Sequence, residues 1–470
     1  MPSEKDECTC EGSKPQQSVG RSVRGGRCQG RPEGMGIMNA QIKSVLECID
    51  REATAKLLID LVNISSPTGE ERDIARYLAD RFEAIGLKAF LQEADEERYN
   101  AVGILEGDGT GLSLMFNGHL DTTYTGREKV GLKAGWGLLP TVSTGSQAIR
   151  KGDRIYGLGA TNMKGGIAAF TIAAEAIKKG GVKLRGDLVL AGVIGEIIMA
   201  PIDEYREARL RGYTRGTHTL ITHGVTADMA IVAEPTGSII RLGHFGPQWV
   251  KISTFGISAN TAYAGDVISP IDRMLRIIST LKEWIPGYQE KIYNRYPYME
   301  TKPAVRISAI HGGAPWRLAR PGGICSIYLD VRTKQSPPDL KRELVQLLHG
   351  LKEKVCGEDP EFDFDVEFYL TQPGAEIQPD HGLVKSMETS HKTVYSKNPV
   401  KDYSAIDSDA SVLTHFDVPA INYGPRPLDP LTKSGGREYQ NIEDVVNVAK
   451  VFALTAIDIC NQPAGTAQGG

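Results

Sequence analysis

The chain has 470 residues, of which 41% are hydrophobic and 24% charged, and its formal net charge at pH 7 is −4. A chain of this length is longer than one ordinary domain, so we expect two domains. The small negative charge offers no basic surface for nucleic acid, and no apolar run is long enough to span a bilayer. Seven scattered cysteines and the lack of a secretory signal favour reduced thiols and a cytoplasmic location.

The predicted elements of the first half alternate between helices and strands. Residues 1–38, rich in Gly, Ser and Arg, are expected to form a disordered lead. A 3.6-residue period of apolar side chains begins at Gln41, and a second amphipathic helix covers residues 73–85 and ends at Gly86. Residues 188–194 have the character of a buried strand. Further predicted elements are strands at residues 101–105 and 112–116 and a helix at residues 165–178.

A second unit of different pattern follows. Ser269 is a candidate N-cap, with Pro270 in the first turn of the helix. The order strand, helix, strand, strand, helix, strand is typical of a ferredoxin-like arrangement. The predicted strands cover residues 250–254, 305–310, 324–331 and 362–369, and the second helix covers residues 339–355. We therefore predict an α/β fold with an inserted domain at 248–370, a discontinuous main domain at 39–247 and 371–462, and a disordered tail at 463–470.

Four polar side chains follow strand-like runs of the main domain: His119, Asn162, Glu196 and Glu234. In α/β sheets, ligands bind beyond the carboxyl ends of the strands. We therefore expect these four side chains to converge at one edge of the sheet.

Five motifs, taken in order along the chain, point to a family. They are NGHLDT at residues 117–122, YGLGATNMKGG ending at Gly166, VIGEII around Glu196, AEPTG around Glu234, and SGGREYQNIEDV starting at Ser434. In their order and their residues, these motifs resemble those of the aminoacylase and carboxypeptidase family of metallohydrolases, which includes acetylornithine deacetylase and succinyl-diaminopimelate desuccinylase. The resemblance covers residues 39–462. It implies a metallopeptidase-type catalytic domain with an inserted ferredoxin-like lid and dimerisation domain, and hence a homo-oligomer.

The HLD sequence carries the first metal-ligand candidate. A His after a strand can ligate a metal through one ring nitrogen while an Asp two residues on holds the other nitrogen. A lone HxD pair is more often structural, but the surrounding motifs reverse that preference. By resemblance, His119 is a metal ligand, Asp121 is its supporting catalytic acid, and Glu234 is a further metal ligand.

The chain departs from the family at the second of its two metals. Asn162 stands where the family has a bridging aspartate, Ile197 stands at a second glutamate, and Ser434 stands at a late histidine. An amide oxygen coordinates one cation weakly and lacks the charge to hold two, although Asn162 also fits a structural amide in a Gly-rich turn. We therefore expect one divalent metal per chain, with manganese favoured over zinc, cobalt or iron because oxygen ligands dominate the set.

Three further residues have implied roles in the reaction. Glu196 matches the general base, and its place after an apolar strand suits a raised pKa, although a solvated or ion-paired Glu is the alternative. Asn260, in GISAN, replaces a family histidine and can donate a hydrogen bond to a developing anion. Arg332, in Asp330-Val331-Arg332, is expected to bind a substrate carboxylate, with an internal salt bridge as the alternative.

The combined expectation is a mononuclear metal-dependent hydrolase that cleaves a C–N bond of a small substrate with a carboxylate. The loss of the second metal fits a branch of the family that deaminates 5-nitroanthranilate to 5-nitrosalicylate, since a nitro-activated ring needs no polarised peptide carbonyl. The alternative reaction is removal of an acyl group from an amino acid or dipeptide. A non-catalytic ligand-binding relative is an alternative of another class, and retention of Glu196 argues against it.

Overall fold

A computed structural model describes residues 33–125, 147–258, 260–263, 265, 267–299, 301–320, 322–404, 406–427 and 438–465. The predicted lead at 1–38 lies outside the described residues up to residue 32, and helix α1 begins at Glu33. Residues 466–470 of the predicted tail and Ser434 also lie outside them. None of the described helices combines the length and the apolar character that a membrane span requires.

The described residues form ten α-helices and sixteen β-strands. The helices are α1 (Glu33–Glu47), α2 (Arg51–Asn63), α3 (Arg72–Ala84), α4 (Gly165–Lys179), α5 (Arg215–Thr222), α6 (Pro270–Arg295), α7 (Pro337–Val355), α8 (Gly382–Tyr395), α9 (Ala410–His415) and α10 (Ile442–Cys460). The strands are β1 (Lys88–Asp95), β2 (Arg98–Leu105), β3 (Leu114–His119), β4 (Ile149–Lys151), β5 (Arg154–Tyr156), β6 (Leu188–Val193), β7 (Met229–Val232), β8 (Ile240–His244), β9 (Gly246–Phe255), β10 (Val305–Gly312), β11 (Ile324–Thr333), β12 (Phe364–Thr371), β13 (Ala375–Glu376), β14 (Lys401–Ser404), β15 (Ala420–Asn422) and β16 (Tyr439–Asn441).

Nine of the described strands form a mixed central sheet in the order β1-β2-β6-β3-β7-β15-β8-β13, with β14 paired to β8. Strand β3 lies between β6 and β7 and runs parallel to both. The carboxyl ends of these three strands therefore meet at one edge, where we expected the polar side chains to converge. Helix α4 is buried along most of its length because its Ala and Gly residues allow close packing against β3 and α10.

The second sheet has four strands in the order β10-β11-β9-β12. Helices α6 and α7 pack against it and complete a separate apolar core. The chain order β9-α6-β10-β11-α7-β12 confirms the predicted ferredoxin-like arrangement. This unit is inserted between β8 and β13, which pair with each other in the central sheet. The boundaries at residues 248 and 370 stay a prediction.

Local capping explains where the observed helices begin. The helical pattern that starts at Gln41 is interrupted before Arg51, because the Asp50 side chain accepts a hydrogen bond from the backbone N–H of Ala53 at 2.6 Å. The expected N-cap at Ser269 is present, since its hydroxyl accepts from the backbone N–H of Asp272 at 3.1 Å. The Asp50 cap thus divides a continuous apolar period into the two helices α1 and α2.

Candidate metal centre

His119 is the last residue of β3 and is fully buried. Its Nδ1 lies 2.9 Å from the backbone oxygen of Asp121, and Nε2 lies 3.2 Å from Asn162 Oδ1. Nε2 is also 3.8 Å from Glu196 Oε2 and 3.8 Å from Glu234 Oε1. A proton donated from Nδ1 to the Asp121 carbonyl leaves the lone pair on Nε2. The nitrogen lone pair then faces three oxygen atoms.

This cluster has the donor set of a divalent-cation site. Ligand atoms of His119, Glu196 and Glu234 all lie within 4.8 Å of one another. Glu234 Oε1 is buried and has no hydrogen-bond partner among the residues that the structure describes. Buried acceptors without a donor are rare in folded proteins, because each loses its hydration without replacement. A cation satisfies these acceptors together, and one imidazole with several oxygens suits a first-row divalent metal.

The electrostatics of the cluster show how strongly it attracts positive charge. Burial raises the pKa of Glu196 well above its ordinary value, although the nearby His119 opposes the rise. Burial likewise raises the pKa of Glu234. Burial alone would lower the pKa of His119, but the carboxylates of Glu196, Asp121 and Glu234 raise it well above the ordinary range. A bound divalent cation would reverse these directions, because it favours ionised carboxylates and a neutral imidazole.

Asp121 supports the site in a way that the sequence did not indicate. Its carboxylate accepts hydrogen bonds from the backbone N–H groups of Glu196 at 3.0 Å and Ile197 at 3.1 Å, and from the Thr68 hydroxyl at 2.8 Å. The expected contact between this carboxylate and His119 Nδ1 is longer, at 3.5 Å. The backbone carbonyl of Asp121 therefore orients the imidazole, while its carboxylate fixes the loop that carries Glu196.

Asn162 lies in a distorted turn directly before α4. The turn is held by the partly buried carboxylate of Glu438, which accepts hydrogen bonds from the backbone N–H groups of Gly159, Thr161 and Asn162, each at 2.9 Å. Glu438 itself precedes β16, which pairs with β5. This arrangement fixes the backbone of Asn162 while its side-chain oxygen faces His119 Nε2.

A cavity of about 380 Å³ opens beside the cluster, a volume that suits a small molecule. Of the cluster, Glu234 lines this cavity, as does the neighbouring Asn162. Other polar side chains of the wall include Arg241, Asp407, Asn422 and Arg426.

The sequence profile of Peptidase family M20/M25/M40 matches residues 115–458. The chain belongs to this family. The predicted resemblance, the fold class and the assignment to hydrolases of C–N bonds are thereby confirmed.

Individual M20 relatives differ in their named activities. The chain is 25% identical over 430 residues to an N-formyl-4-amino-5-aminomethyl-2-methylpyrimidine deformylase of Bacillus subtilis, covering 87% of this chain and 94% of the relative. It is 28% identical over 232 residues to a probable succinyl-diaminopimelate desuccinylase of Staphylococcus aureus. The aligned residues cover 48% of this chain and 50% of that relative. A tripeptidase structure from Staphylococcus aureus shares the fold with a TM-score of 0.63 and 17% identity, over 88% of this chain and 99% of the tripeptidase.

Arg332 of this M20 chain has the ion-pair arrangement that was the alternative to substrate binding. Its Nε and Nη2 donate to the two carboxylate oxygens of Asp330 at 2.8 and 3.1 Å. Its Nη1 donates to Asp407, which follows β14 of the central sheet. The guanidinium therefore links the inserted sheet to the cavity wall. Its expected contact with a substrate carboxylate stays a prediction.

Asn260 and Ile197 do not supply ligand atoms to the described cluster. The Asn260 side-chain oxygen accepts a hydrogen bond from the backbone N–H of Ala262 at 3.0 Å, and Asn260 does not line the cavity. Its expected role concerns a second subunit, so it stays a prediction. Ile197 offers the site no ligand atom, and Ser434 lies outside the described residues.

Sequence reasoning missed two buried aspartates near the cluster. Asp407 Oδ2 and both carboxylate oxygens of Asp409 are buried and make no hydrogen bond of normal geometry within the described part of the chain. Burial raises the pKa of Asp409 to about 7. Both aspartates also contribute to the raised pKa of Glu196. They lie in a DSD sequence just before α9. Aspartates are common at this position as helix caps, so the sequence alone did not indicate a functional role for them.

Proposed function

We propose that this chain is a metal-dependent amidohydrolase that cleaves the amide C–N bond of a small N-acyl substrate with a carboxylate. The observation that carries the proposal is the buried cluster of His119, Glu196 and Glu234, of which Glu234 lines a cavity of small-molecule size. Two relatives, named as a deformylase and a desuccinylase, support an acyl group attached to nitrogen as the target.

His119, Glu234 and the amide oxygen of Asn162 would hold one divalent cation. Manganese is favoured because oxygen ligands dominate the set, with zinc, cobalt and iron as alternatives. When bound, such a cation supplies Lewis acidity, which lowers the pKa of a water and polarises the acyl oxygen.

Glu196 would move the proton in the reaction. Its carboxylate would take a proton from the attacking water and pass it to the nitrogen of the leaving amine. Glu196 is buried, and its Oε2 lies 3.8 Å from His119 Nε2, so its carboxylate lies next to the residues that would hold the cation. The hydrogen bonds from Glu196 N–H and Ile197 N–H to Asp121 keep this loop in place. Asn260 from a second copy would donate a hydrogen bond to the developing negative charge.

The inserted domain would carry a homo-oligomer contact, as the family resemblance implies. On its surface Leu275 and Ile271 of α6 and Ile310 of the edge strand β10 are exposed. Exposed apolar side chains near an unpaired strand edge are typical of a surface that another chain covers.

A second candidate reaction is the hydrolytic deamination of 5-nitroanthranilate to 5-nitrosalicylate. The observation in its favour is that Asn162 and Ile197 replace the ligands of the family's second metal, while the described cluster accommodates one cation. A nitro-activated ring carbon can be attacked without a polarised peptide carbonyl. A non-catalytic binder is disfavoured, because a binder gains nothing from a buried carboxylate held like Glu196.

Elemental analysis combined with two assays tests the proposal. We expect about one metal per chain and release of amine from N-formyl or N-acetyl amino acids. Two metals per chain would contradict a single metal site. Release of ammonia from 5-nitroanthranilate, with no cleavage of the N-acyl amino acids, would select the second candidate. Bound metal with no turnover of either substrate class would favour a binder.

A further inference from the structure

The cavity beside the cluster contains cationic and amide groups that belong to none of the five motifs. Arg241 on β8 and Asn422 on β15 both line it, together with Glu234. A guanidinium in the wall of a small-molecule cavity attracts an anion. An arginine can bind this anion only if its N–H groups are not already paired with carboxylates of the protein.

Arg332, the arginine expected to bind a carboxylate, is already occupied. Asp330 takes two of its N–H groups in a bidentate pair, and Asp407 takes a third. Its side chain is only 16% exposed. A substrate carboxylate would therefore have to displace a partly buried ion pair, which opposes binding at this position.

Arg241 has no comparable partner. Its side chain makes no hydrogen bond within the described part of the chain, and its ion pair with Asp402 is long, at 3.9 Å. The side chain is 20% exposed, so its charge is partly shielded from water. Arg241 also acts electrostatically on Glu234, where its positive charge opposes the rise in pKa that burial causes. The free guanidinium is thus within range of the ligand cluster.

Asn422 places a second donor next to Arg241. The two residues are directly opposite each other in the pairing of β15 with β8. Asn422 is also opposite Val232 of β7, two residues before Glu234. The Asn422 Oδ1 accepts a hydrogen bond from the Ser408 hydroxyl at 2.9 Å. This contact fixes the amide, and its Nδ2 group donates to no other described residue.

We propose that Arg241 and Asn422 form the subsite that binds the carboxylate of the substrate. The guanidinium supplies charge and two or more N–H donors, and Asn422 Nδ2 supplies a further donor beside it. The ligand class is a small carboxylate whose acylated nitrogen reaches the His119 cluster across the cavity. That this carboxylate belongs to a substrate rests on the proposed function, whereas the binding of a carboxylate does not.

Direct binding tests the subsite without turnover. The probes are benzoate, which has no amide bond, and benzyl alcohol as its neutral match, titrated calorimetrically into the metal-loaded protein. In Arg241→Gln we expect benzoate to bind about 10- to 100-fold more weakly, with benzyl alcohol unchanged. Arg241→Lys should recover part of the loss, because it keeps the charge. Arg342→Gln, on the exposed surface of α7, is the matched control.

Asn422→Asp gives a second variant of nearly the same shape. A carboxylate at this position should repel benzoate, so its affinity should fall while benzyl alcohol binding is retained. Benzoate affinity that is unchanged in both Arg241→Gln and Asn422→Asp would overturn the proposal. A loss of benzoate affinity confined to Arg332→Gln would overturn it as well.

A kinetic comparison separates this subsite from the proposed reaction. For N-acetyl amino acids and their carboxamides, the preference for the free acid should decrease about 10- to 100-fold in Arg241→Gln. Amide cleavage with an unchanged preference would reject the subsite and keep the amidohydrolase. Arg241-dependent benzoate binding without any amide cleavage would keep the subsite and reject the amidohydrolase.

Discussion

The backbone N–H of Asn162 donates a hydrogen bond of 2.9 Å to the carboxylate of Glu438, 276 positions further along the chain. The same carboxylate accepts from Gly159 and Thr161. Burial raises the pKa of Glu438, while these backbone donors and the nearby Lys164 favour its charged form. A residue from the end of the sequence thus fixes the turn that presents the Asn162 amide to His119.

Replacing Glu438 by Gln should weaken the metal site without unfolding the protein. A glutamine has one side-chain oxygen where the glutamate has two, so at least one of the three backbone donors loses its partner. Supporting residues of this kind change metal affinity by about 10- to 100-fold when they are replaced. Metal affinity should be measured by competition with a chelator. Glu443→Gln, exposed at the start of α10, is the control, and equal affinities in both variants would contradict the role of Glu438.

Substitutions of Glu196 and Glu234 should have different effects, the first on turnover and the second on metal binding. Each residue has an oxygen 3.8 Å from His119 Nε2. Glu196→Gln should lower kcat by about 100- to 10,000-fold while the metal is retained, because it removes a proton acceptor. Glu234→Gln should reduce the bound metal itself. Elemental analysis and initial rates on the same preparations test both expectations, with exposed Glu93→Gln as the control. Loss of metal in Glu196→Gln would make Glu196 a ligand instead.

The ion pair between Glu71 and Arg98 should be important for stability. The two side chains are 0% and 2% exposed, and the guanidinium donates to both carboxylate oxygens at 2.8 and 2.5 Å. Glu71→Ala should lower the free energy of unfolding by about 3–5 kcal/mol, since the buried guanidinium loses its bidentate partner and keeps the longer contact with Asp95 at 3.4 Å. Glu106→Ala, which removes an exposed pair with Lys88, should cost less than about 1 kcal/mol. Denaturant titrations give both values.

A double substitution tests the reason for that effect. Glu71→Met combined with Arg98→Met removes both charges, so the loss in stability should be smaller than in Glu71→Ala. A double variant that is at least as destabilised as the single variant would show that packing, not the unpaired charge, determines the cost.

The sequence predicted the elements whose signals are local. The apolar runs before His119 and Glu196 identified β3 and β6, and the Ser269 cap identified the start of α6. Parallel pairing of β3 with its neighbours then follows from the α/β pattern, which is why His119, Glu196 and Glu234 lie close together. The interrupted helix before Arg51 was missed, because an apolar period continues across the cap.

The rest of the site depends on contacts between distant segments. Glu438 reaches the turn before α4 only through the pairing of β16 with β5. Arg241 and Asn422 become neighbours only when β15 lies beside β8. The occupation of Arg332 likewise depends on Asp407, which lies 75 positions away. Residue type at one position cannot reveal such partners, so the sequence could name Arg332 as a cation but not show that it was already paired.

Stability should also depend on pH through His391 in α8. This residue is 2% exposed, and its Nδ1 lies 2.7 Å from the Tyr423 hydroxyl. Burial, with the charge of Lys397, lowers the pKa of His391 to about 4. In the unfolded chain the pKa of a histidine is about 6.5. As the pH falls below about 6.5, the unfolded state takes up a proton that the folded state does not bind, so stability decreases until the pH reaches about 4.

Urea unfolding at a series of pH values isolates this effect by comparison with His391→Gln. The glutamine can still form a hydrogen bond with Tyr423 but does not titrate. We expect the unfolding midpoint of the unsubstituted protein to fall relative to that of the variant between about pH 6.5 and 4.5, and the difference to stay constant above about pH 7.5. His218→Gln, at an exposed histidine of α5, is the control for the loss of a histidine. Parallel curves for His391→Gln would instead mean that His391 accepts a proton in the folded state as readily as in the unfolded chain.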